Sequence, residues 1–279
     1  MNKPVKILLI VVLVLAATAL LLLVLGAFDT RLESTHYDIE TNKLKGSIKL
    51  ALVTDLHSCN YGEGQKDIMD ALEAEKPDAV MLGGDIVDDA MPEEKAWEFL
   101  DAVSNKYRCF YVTGNHEEWT GRADEIMSKI SKRGITVLDN DAQTIDIMNT
   151  RLTIFGLRDP EFEPKGTVDS VLVDLTENND MNTFTLLLSH RPELIATYYD
   201  FGFDLVLSGH AHGGQWRIPF LLPNGIISPG EGFFPEYTSG LYKYEDTTMI
   251  VSRGLAREST RLPRIWNRPE LAFVRISGE

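Results

Sequence analysis

Sulfur is scarce in this chain: two cysteines, Cys59 and Cys109, in 279 residues. There is therefore no thiolate-rich set of the kind that selects Fe–S clusters or structural zinc. Positive charge is scarce too, with 27 Lys and Arg against 42 Asp and Glu and a formal charge of −15. Setting aside Lys3 and Lys6 leaves 25 basic residues against the same 42 acids, or −17 for the rest of the chain. Broad nucleic-acid binding needs a basic footprint, and electrostatic docking on anionic lipid needs the same; both are disfavoured. Repeats of solenoid type and low-complexity linkers are absent, which favours one globular domain.

Long apolar runs are confined to one place. Ile7 to Phe28 contains no charge, follows Lys3 and Lys6, and precedes Asp29. At about 1.5 Å per residue such a run can span a bilayer. A cleaved signal has a shorter apolar core, and here the run continues past Ala17-Thr18-Ala19, the one small-x-small site. Residues 1–28 are accordingly read as an uncleaved signal anchor, 29–47 as a linker and N-terminal strand, and 48–279 as the main domain. Basic flanking residues keep the N-terminus in the cytoplasm and place the domain outside it. No lipobox cysteine or twin arginine points to another export route.

Histidine is also rare, but five of the six histidines fall in short motifs behind predicted strands. The motifs are Asp55-Leu56-His57, Gly83-Gly84-Asp85-Ile86-Val87-Asp88, Gly114-Asn115-His116-Glu117, Ser189-His190 and Gly209-His210-Ala211-His212. His36 lies outside all of them and is read as a surface residue. Carboxylate, amide oxygen and neutral imidazole suit Mn, Zn and Fe. Two such ions roughly 3.5–4 Å apart clamp a phosphoryl group and activate water. Taken singly, Asp55, Asp85 and Asn115 would pass for caps or turn residues, and His190 for a satisfied core histidine. Five groups in series at strand ends favour a two-metal site, with Asp85 able to bridge. Asp88 and Glu117 are read as caps, groups behind the ligands, or solvated charges.

The strand–motif–helix rhythm repeats three times: Lys49–Thr54 then Gln65–Lys76, Ala79–Leu82 then Glu93–Ser104, and Cys109–Thr113 then Arg122–Lys132. It predicts parallel strands with ligands at their carboxyl ends. Further on, Thr144–Met148 and Arg151–Phe155 form a hairpin around Asn149 and Thr150. Helices follow over Val168–Leu175 and Glu193–Tyr199. Strands over Thr185–Leu188 and Leu205–Leu207 deliver His190 and His210; Thr248–Val251 and Leu271–Ile276 close the chain. On this layout Cys59 and Cys109 sit at opposite ends of a parallel sheet, which argues against a disulfide. One is expected buried and the other near the pocket mouth. Gly213 to Tyr237, rich in proline (Pro219, Pro223, Pro229, Pro235) and apolar residues, must border the site. It reads as an irregular segment packed on the sheet, with a substrate-binding or lipid-facing lid as the alternative.

In this order, D-x-H, G-D-x-x-D, G-N-H-E, a lone His and G-H-x-H resemble the calcineurin-like metallophosphoesterases, from about Lys49 to the end. G-H-A-H-G-G-Q and V-S-R-G-L…R-P-E-L are most similar to the membrane-associated bacterial phosphodiesterase branch. Thr54 stands where Ser often precedes the first Asp, and it touches no ligand. The resemblance implies an α/β fold, a two-sheet β-sandwich flanked by helices in four layers. It implies two metal ions (Mn, Zn or Fe), one on Asp55, His57 and His212, the other on Asn115, His190 and His210, with Asp85 between them. It implies that His116 faces the phosphate and leaving group, held protonated by an acid such as Asp88. The reaction implied is phosphoester hydrolysis, of a diester, by a hydroxide between the metals. Rival readings are a pyrophosphatase acting on a nucleotide-linked glycolipid and a catalytically weak metal-binding surface protein.

Overall fold

A computed structural model describes every residue except 1, 2, 148, 149, 219, 230, 258, 260, 261 and 279. An apolar helix, α1 (Lys3–Ala27), opens the chain. The first half then runs β1 (Glu33–Thr41), β2 (Ser47–Val53), α2 (Lys66–Glu75), β3 (Ala79–Gly83), α3 (Glu94–Ser104), β4 (Cys109–Val112), α4 (Asn115–Trp119), α5 (Ala123–Ser131) and β5 (Thr136–Val137). The second half runs β6 (Asp141–Ile147), β7 (Thr150–Gly156), α6 (Thr167–Glu177), β8 (Phe184–Leu188), α7 (Ile195–Asp200) and β9 (Leu205–Ser208). It continues through β10 (Ile227–Ser228), β11 (Gly232–Phe233), β12 (Gly240–Tyr244), β13 (Thr247–Val251) and β14 (Glu270–Gly278).

Two six-stranded sheets result, ordered β1-β14-β2-β3-β4-β5 and β12-β13-β9-β8-β7-β6. Side-chain alternation along a strand builds the layers. In β2, Leu50 and Leu52 enter the cluster between the sheets, whereas Ala51 and Val53 join the cluster formed with Leu72, Phe99 and Ile126 of α2, α3 and α5. In β8, Leu186 and Leu188 face inward, and Leu187 packs outward with Leu172 and Tyr198 of α6 and α7. Helix, sheet, sheet, helix is the four-layer arrangement expected. Strands covered on both faces are apolar throughout, as β3 (Ala-Val-Met-Leu-Gly) is.

β2, β3 and β4 are parallel neighbours, as are β7, β8 and β9. The predicted helices and strands form with ends shifted by a few residues, the range within which helix termini are ambiguous anyway. β6 and β7 pair antiparallel as a hairpin, while Met148 and Asn149 of the expected turn lie outside the described residues. β5, β10, β11 and β12 carried no clear sequence signal; three of them are two-residue strands and β12 is an edge. The N-terminal strand of segment 29–47 is β1, which runs parallel to β14 from Glu33 beside Glu270 to Thr41 beside Gly278. His36 lies on it at the surface, with Nε2 2.9 Å from Glu75 Oε1.

Two expectations need correction. Cys59 and Cys109 are both buried, at 0% and 2% exposure, so neither thiol lies at a pocket mouth. They are not bridged to each other. The stretch after His212 is not ordinary core: Phe220, Leu221, Phe233 and Phe234 are exposed. Pro219 of this stretch lies outside the described residues.

Leu52 is fully buried between the sheets, and Val173 on α6 is exposed. Leu52→Ala should cost about 2–5 kcal/mol, and Val173→Ala should stay within about 0.5 kcal/mol. Urea denaturation of the two variants measures both.

Candidate active site

The site forms where the carboxyl ends of β2, β3 and β4 meet those of β8 and β9. Ladder bonds stop there and the loops bond to one another. The Asp55 N–H donates to Gly84 O (3.0 Å), His57 N–H to Asp85 O (2.9 Å), and Leu255 N–H to Thr54 O (3.0 Å). Those bonds hold the backbone where side chains rarely go: φ is +52° at Asp55, +46° at His57, +53° at Asp85, +68° at His210 and +48° at His212. Left-handed φ at non-glycine residues costs energy and gathers at functional sites. Gly114 is required by close approach, since a Cβ there would lie 2.2 Å from Asp85 Oδ1.

Two ligand groups share one carboxylate. Asp55, His57, Asp85 and His212 offer donor atoms all within 4.8 Å of one another, and Asp85, His190 and His210 do the same. Asp85 Oδ2 lies 3.1 Å from His190 Nε2 and 3.5 Å from His57 Nε2. Asn115, the first residue of α4, faces the same cavity. His57 Nε2, His190 Nε2, His212 Nδ1 and Asn115 Oδ1 are buried without a partner in hydrogen-bonding geometry. Orphaned buried polar atoms are rare, and a cluster of them around two carboxylates is what cation ligands look like. The donor set fits divalent metals.

The opposite edges of these side chains are occupied. The His57 Nδ1 edge meets Asp88 Oδ2 at 2.8 Å, and that of His190 meets Gly83 O at 2.8 Å. Such contacts fix ring orientation and leave the other nitrogen for a metal. The Asp55 carboxylate accepts the His210 N–H at 3.0 Å, and Asp85 Oδ1 accepts the His116 N–H at 2.8 Å. Glu117 is a clamp: its fully buried carboxylate accepts the N–H groups of Asp85, Ile86, Val87 and Gly114 at 2.8–2.9 Å. Burial, then the charge of Asp85, pushes its carboxyl up to about 7. Of the two residues left open, Asp88 thus sits against the His57 ring and Glu117 against the backbone of the Asp85 loop.

Electrostatics follow from burial and neighbours. Burial, aided by the charge of His190, lowers His210; burial and His57 lower His212, keeping both imidazoles neutral. At His190 burial also opposes charge, but Asp85 and Asp55 outweigh it and raise the ring to about 10. His116 is partly open to the cavity. Against burial, Asp85 with Asp88 and Asp89 raise it to about 9. Its nearer carboxylate is Asp89, with Oδ1 2.6 Å from Nδ1, and Asp88 Oδ2 stands at 3.3 Å.

Asp89 was therefore missed by sequence reading, although it adjoins Asp88. Two further neighbours were missed. Trp119 tilts against His116 at 4.6 Å between ring centroids. Arg191, directly after His190, points Nη1 to within 3.4 Å of His210 Nε2. Its guanidinium donates to Asp159 (2.7 and 2.9 Å) and Glu161 (2.5 Å). For Arg191 the available signal was its position directly after the lone His190. The cavity above holds about 570 Å³ and is lined by His57, Asp85, Asn115, His116, His210 and His212, with Trp119, Gln215 and Pro229 on its walls. It can accept an anionic group, supply a proton at His116, and admit a substrate of head-group size.

The family model for calcineurin-like phosphoesterase matches residues 48–214. An uncharacterized metallophosphoesterase of Helicobacter pylori is 31% identical, over 85% of this chain and 62% of its own length. The chain thus spans less than two thirds of that relative. The uncharacterized metallophosphoesterase YkuE of Bacillus subtilis is 29% identical over 88% of this chain and 86% of its own. The phosphodiesterase YaeI of Escherichia coli is 28% identical over 82% of each. In fold, TT1561 of Thermus thermophilus superposes with a TM-score of 0.50 at 12% identity, covering 75% of this chain and 90% of that one. The match to the family model spans both ligand groups and the strands that carry them, and the chain belongs to the calcineurin-like phosphoesterase family.

Proposed function

We propose that this chain is a membrane-anchored phosphodiesterase with a dinuclear metal centre. The observation that carries the reading is the pair of ligand groups meeting at Asp85, with four buried donor atoms unsatisfied around them. Asp55, His57 and His212 would hold one ion, Asn115, His190 and His210 the other, and Asp85 both. Bound there, the metals would lower the pKa of water and neutralise phosphoryl oxygens. Mn, Zn and Fe all suit this donor set.

The chain's own groups do the rest. His116, fixed by Asp89 and with Trp119 tilted against it, presents a proton to the departing oxygen. Arg191 cannot swing freely, because Asp159 and Glu161 grip it, and it holds a fixed positive charge beside His210 for a phosphate oxygen. Support for a diester over other phosphoesters comes from the likeness to YaeI, which is named a phosphodiesterase. A substrate panel of mono- and diesters, run on protein stripped of metal and reloaded with Mn, Zn or Fe, tests the reading directly.

α1 is 25 residues long and free of charge beyond Lys6, with Lys3 and Lys6 at its start. By the positive-inside preference the domain would face away from the cytoplasm. Substrates there would be lipid head groups, wall polymers or imported nucleotides.

Three outcomes are expected. Elemental analysis should find two ions per wild-type chain, and Asp85→Ala should lose both or keep one loosely; a single tight ion in active wild type removes the two-metal reading. His116→Ala should keep its metal and lose roughly 10²–10⁴-fold in rate on poor leaving groups. That loss should shrink for p-nitrophenolate, and equal losses would assign His116 to phosphate positioning. Protease added to intact spheroplasts should degrade the domain while a cytosolic marker survives; a protected domain reverses the orientation.

A further inference from the structure

Among the described residues, the stretch after His212 carries four of the five most exposed large apolar side chains outside α1, Phe162 being the other. Phe220 is 104% exposed, and Phe233, Leu221 and Phe234 range from 68% to 72%. Clusters of exposed aromatic and aliphatic groups mark interaction surfaces, whereas single ones need no explanation. These four belong to one strap. Its first arm is closed by the bond from Leu222 N–H to Ile218 O at 2.8 Å, and its second is the β10–β11 hairpin with Ile227 opposite Phe233. The arms are joined where Ile226 N–H donates to Gly214 O and Phe234 N–H to Ile226 O.

The strap is tied at its root to the end of α1. Arg217 N–H donates to Ile265 O at 2.9 Å, and Ile265 N–H donates to Gln215 O at 3.1 Å. The next residue, Trp266, donates its N–H to Ala27 O at 2.8 Å, and Ala27 is buried against the domain. Adjacent residues of one loop thus hold the strap root and the last turn of the apolar helix. At about 1.5 Å per residue, 25 residues outreach a hydrocarbon core of about 30 Å. A spanning α1 would bring Ala27, and the strap root beside it, to the bilayer surface. The strap also forms a wall of the cavity through Gln215 and Pro229.

We propose that the strap is a second membrane contact, with Phe220, Leu221, Phe233 and Phe234 immersed among lipid head groups and upper acyl chains. The cavity then opens at the lipid interface, and its substrate is a phosphodiester of a membrane lipid whose head group reaches the metal centre while its chains stay in the bilayer. The contact is apolar and not electrostatic. The −17 charge of the rest of the chain repels anionic surfaces, and aromatic side chains partition into the interface without charge attraction. This rests on α1 as a membrane span and on the diesterase reading, and the test separates all three.

Full-length chain is reconstituted in phosphatidylcholine vesicles after labelling Phe233→Cys with an environment-sensitive fluorophore; both native cysteines are buried. Lipids spin-labelled near the head group should quench the label several-fold more than aqueous iodide does. A label at Leu13→Cys reports α1 separately, through quenching by lipids spin-labelled deep in the chains. Iodide quenching at 233 equal to that in detergent, with Leu13 quenched from the bilayer centre, overturns the strap contact while leaving the anchor intact. No deep quenching at Leu13 overturns the anchor, and the strap proposal with it. For the substrate, a vesicle-embedded lipid diester is compared with a water-soluble diester bearing the same head group. Wild type should prefer the embedded one, and replacing Phe220, Phe233 and Phe234 together by Ser should lower that preference at least tenfold. An unchanged ratio overturns the lipid assignment; loss of turnover on every ester in wild type overturns the diesterase reading instead.

Discussion

Buried negative charge at the junction of the two sheets is the constraint to which the rest of the structure answers. Asp55 and Asp85 are at most 1% exposed. Two carboxylates in such a place repel each other by about 4 kcal/mol at 4 Å and an effective dielectric constant near 20, and burying them unpaired costs still more. Neighbours reduce that cost: the imidazoles of His57, His190 and His212 and the backbone N–H groups of His116 and His210. The demand for positive charge is visible in His190, which the carboxylates hold protonated to about 10. A site with this excess of acceptors and unfilled donor atoms is arranged to hold cations.

The fold provides the place. A parallel strand ends with its carbonyls and following loop on one edge, and two parallel sets from two packed sheets bring their ends together there. Neither sheet holds a complete centre: Asp55, His57, Asp85 and Asn115 come from the first, His190, His210 and His212 from the second. Cooperative packing of the leucine and isoleucine layer between the sheets is therefore a condition for the site, and that packing sustains the left-handed backbone at Asp55, His57, Asp85, His210 and His212. Precision at the metal centre is a product of core burial some distance below it.

Seen from the cavity mouth, acidic and apolar surfaces divide the labour. Asp88, Asp89 and Glu161 set the orientation of His57, His116 and Arg191, so acid near the centre positions groups. Further out, exposed phenylalanines replace charge. On the proposed reading, an acidic domain beside a bilayer would have no electrostatic means of holding lipid close, and a tether and an apolar strap rooted on one loop would supply what charge does not.

Much of the centre was legible because ligand chemistry is local. Asp55-Leu56-His57 or Gly209-His210-Ala211-His212 keeps its residue types and strand-end position whatever the surrounding packing, and period-two apolar runs announce buried strands. The apolar run of α1 was equally plain. Side-chain direction is not local. Whether Asp88 or Asp89 faces His116 depends on the loop between β3 and α3, Glu117 is a clamp only because α4 folds back over the Asp85 loop, and Arg191 is pinned by Asp159 from the neighbouring strand's loop. The strap was misjudged for the same reason: apolar composition signals burial, but the sheets behind it were already covered, leaving its phenylalanines outward. Sequence by itself determined which groups could bind metal and on which strand ends they stand; tertiary structure decided which atoms meet, because distances between loops are set by packing between residues far apart in the chain.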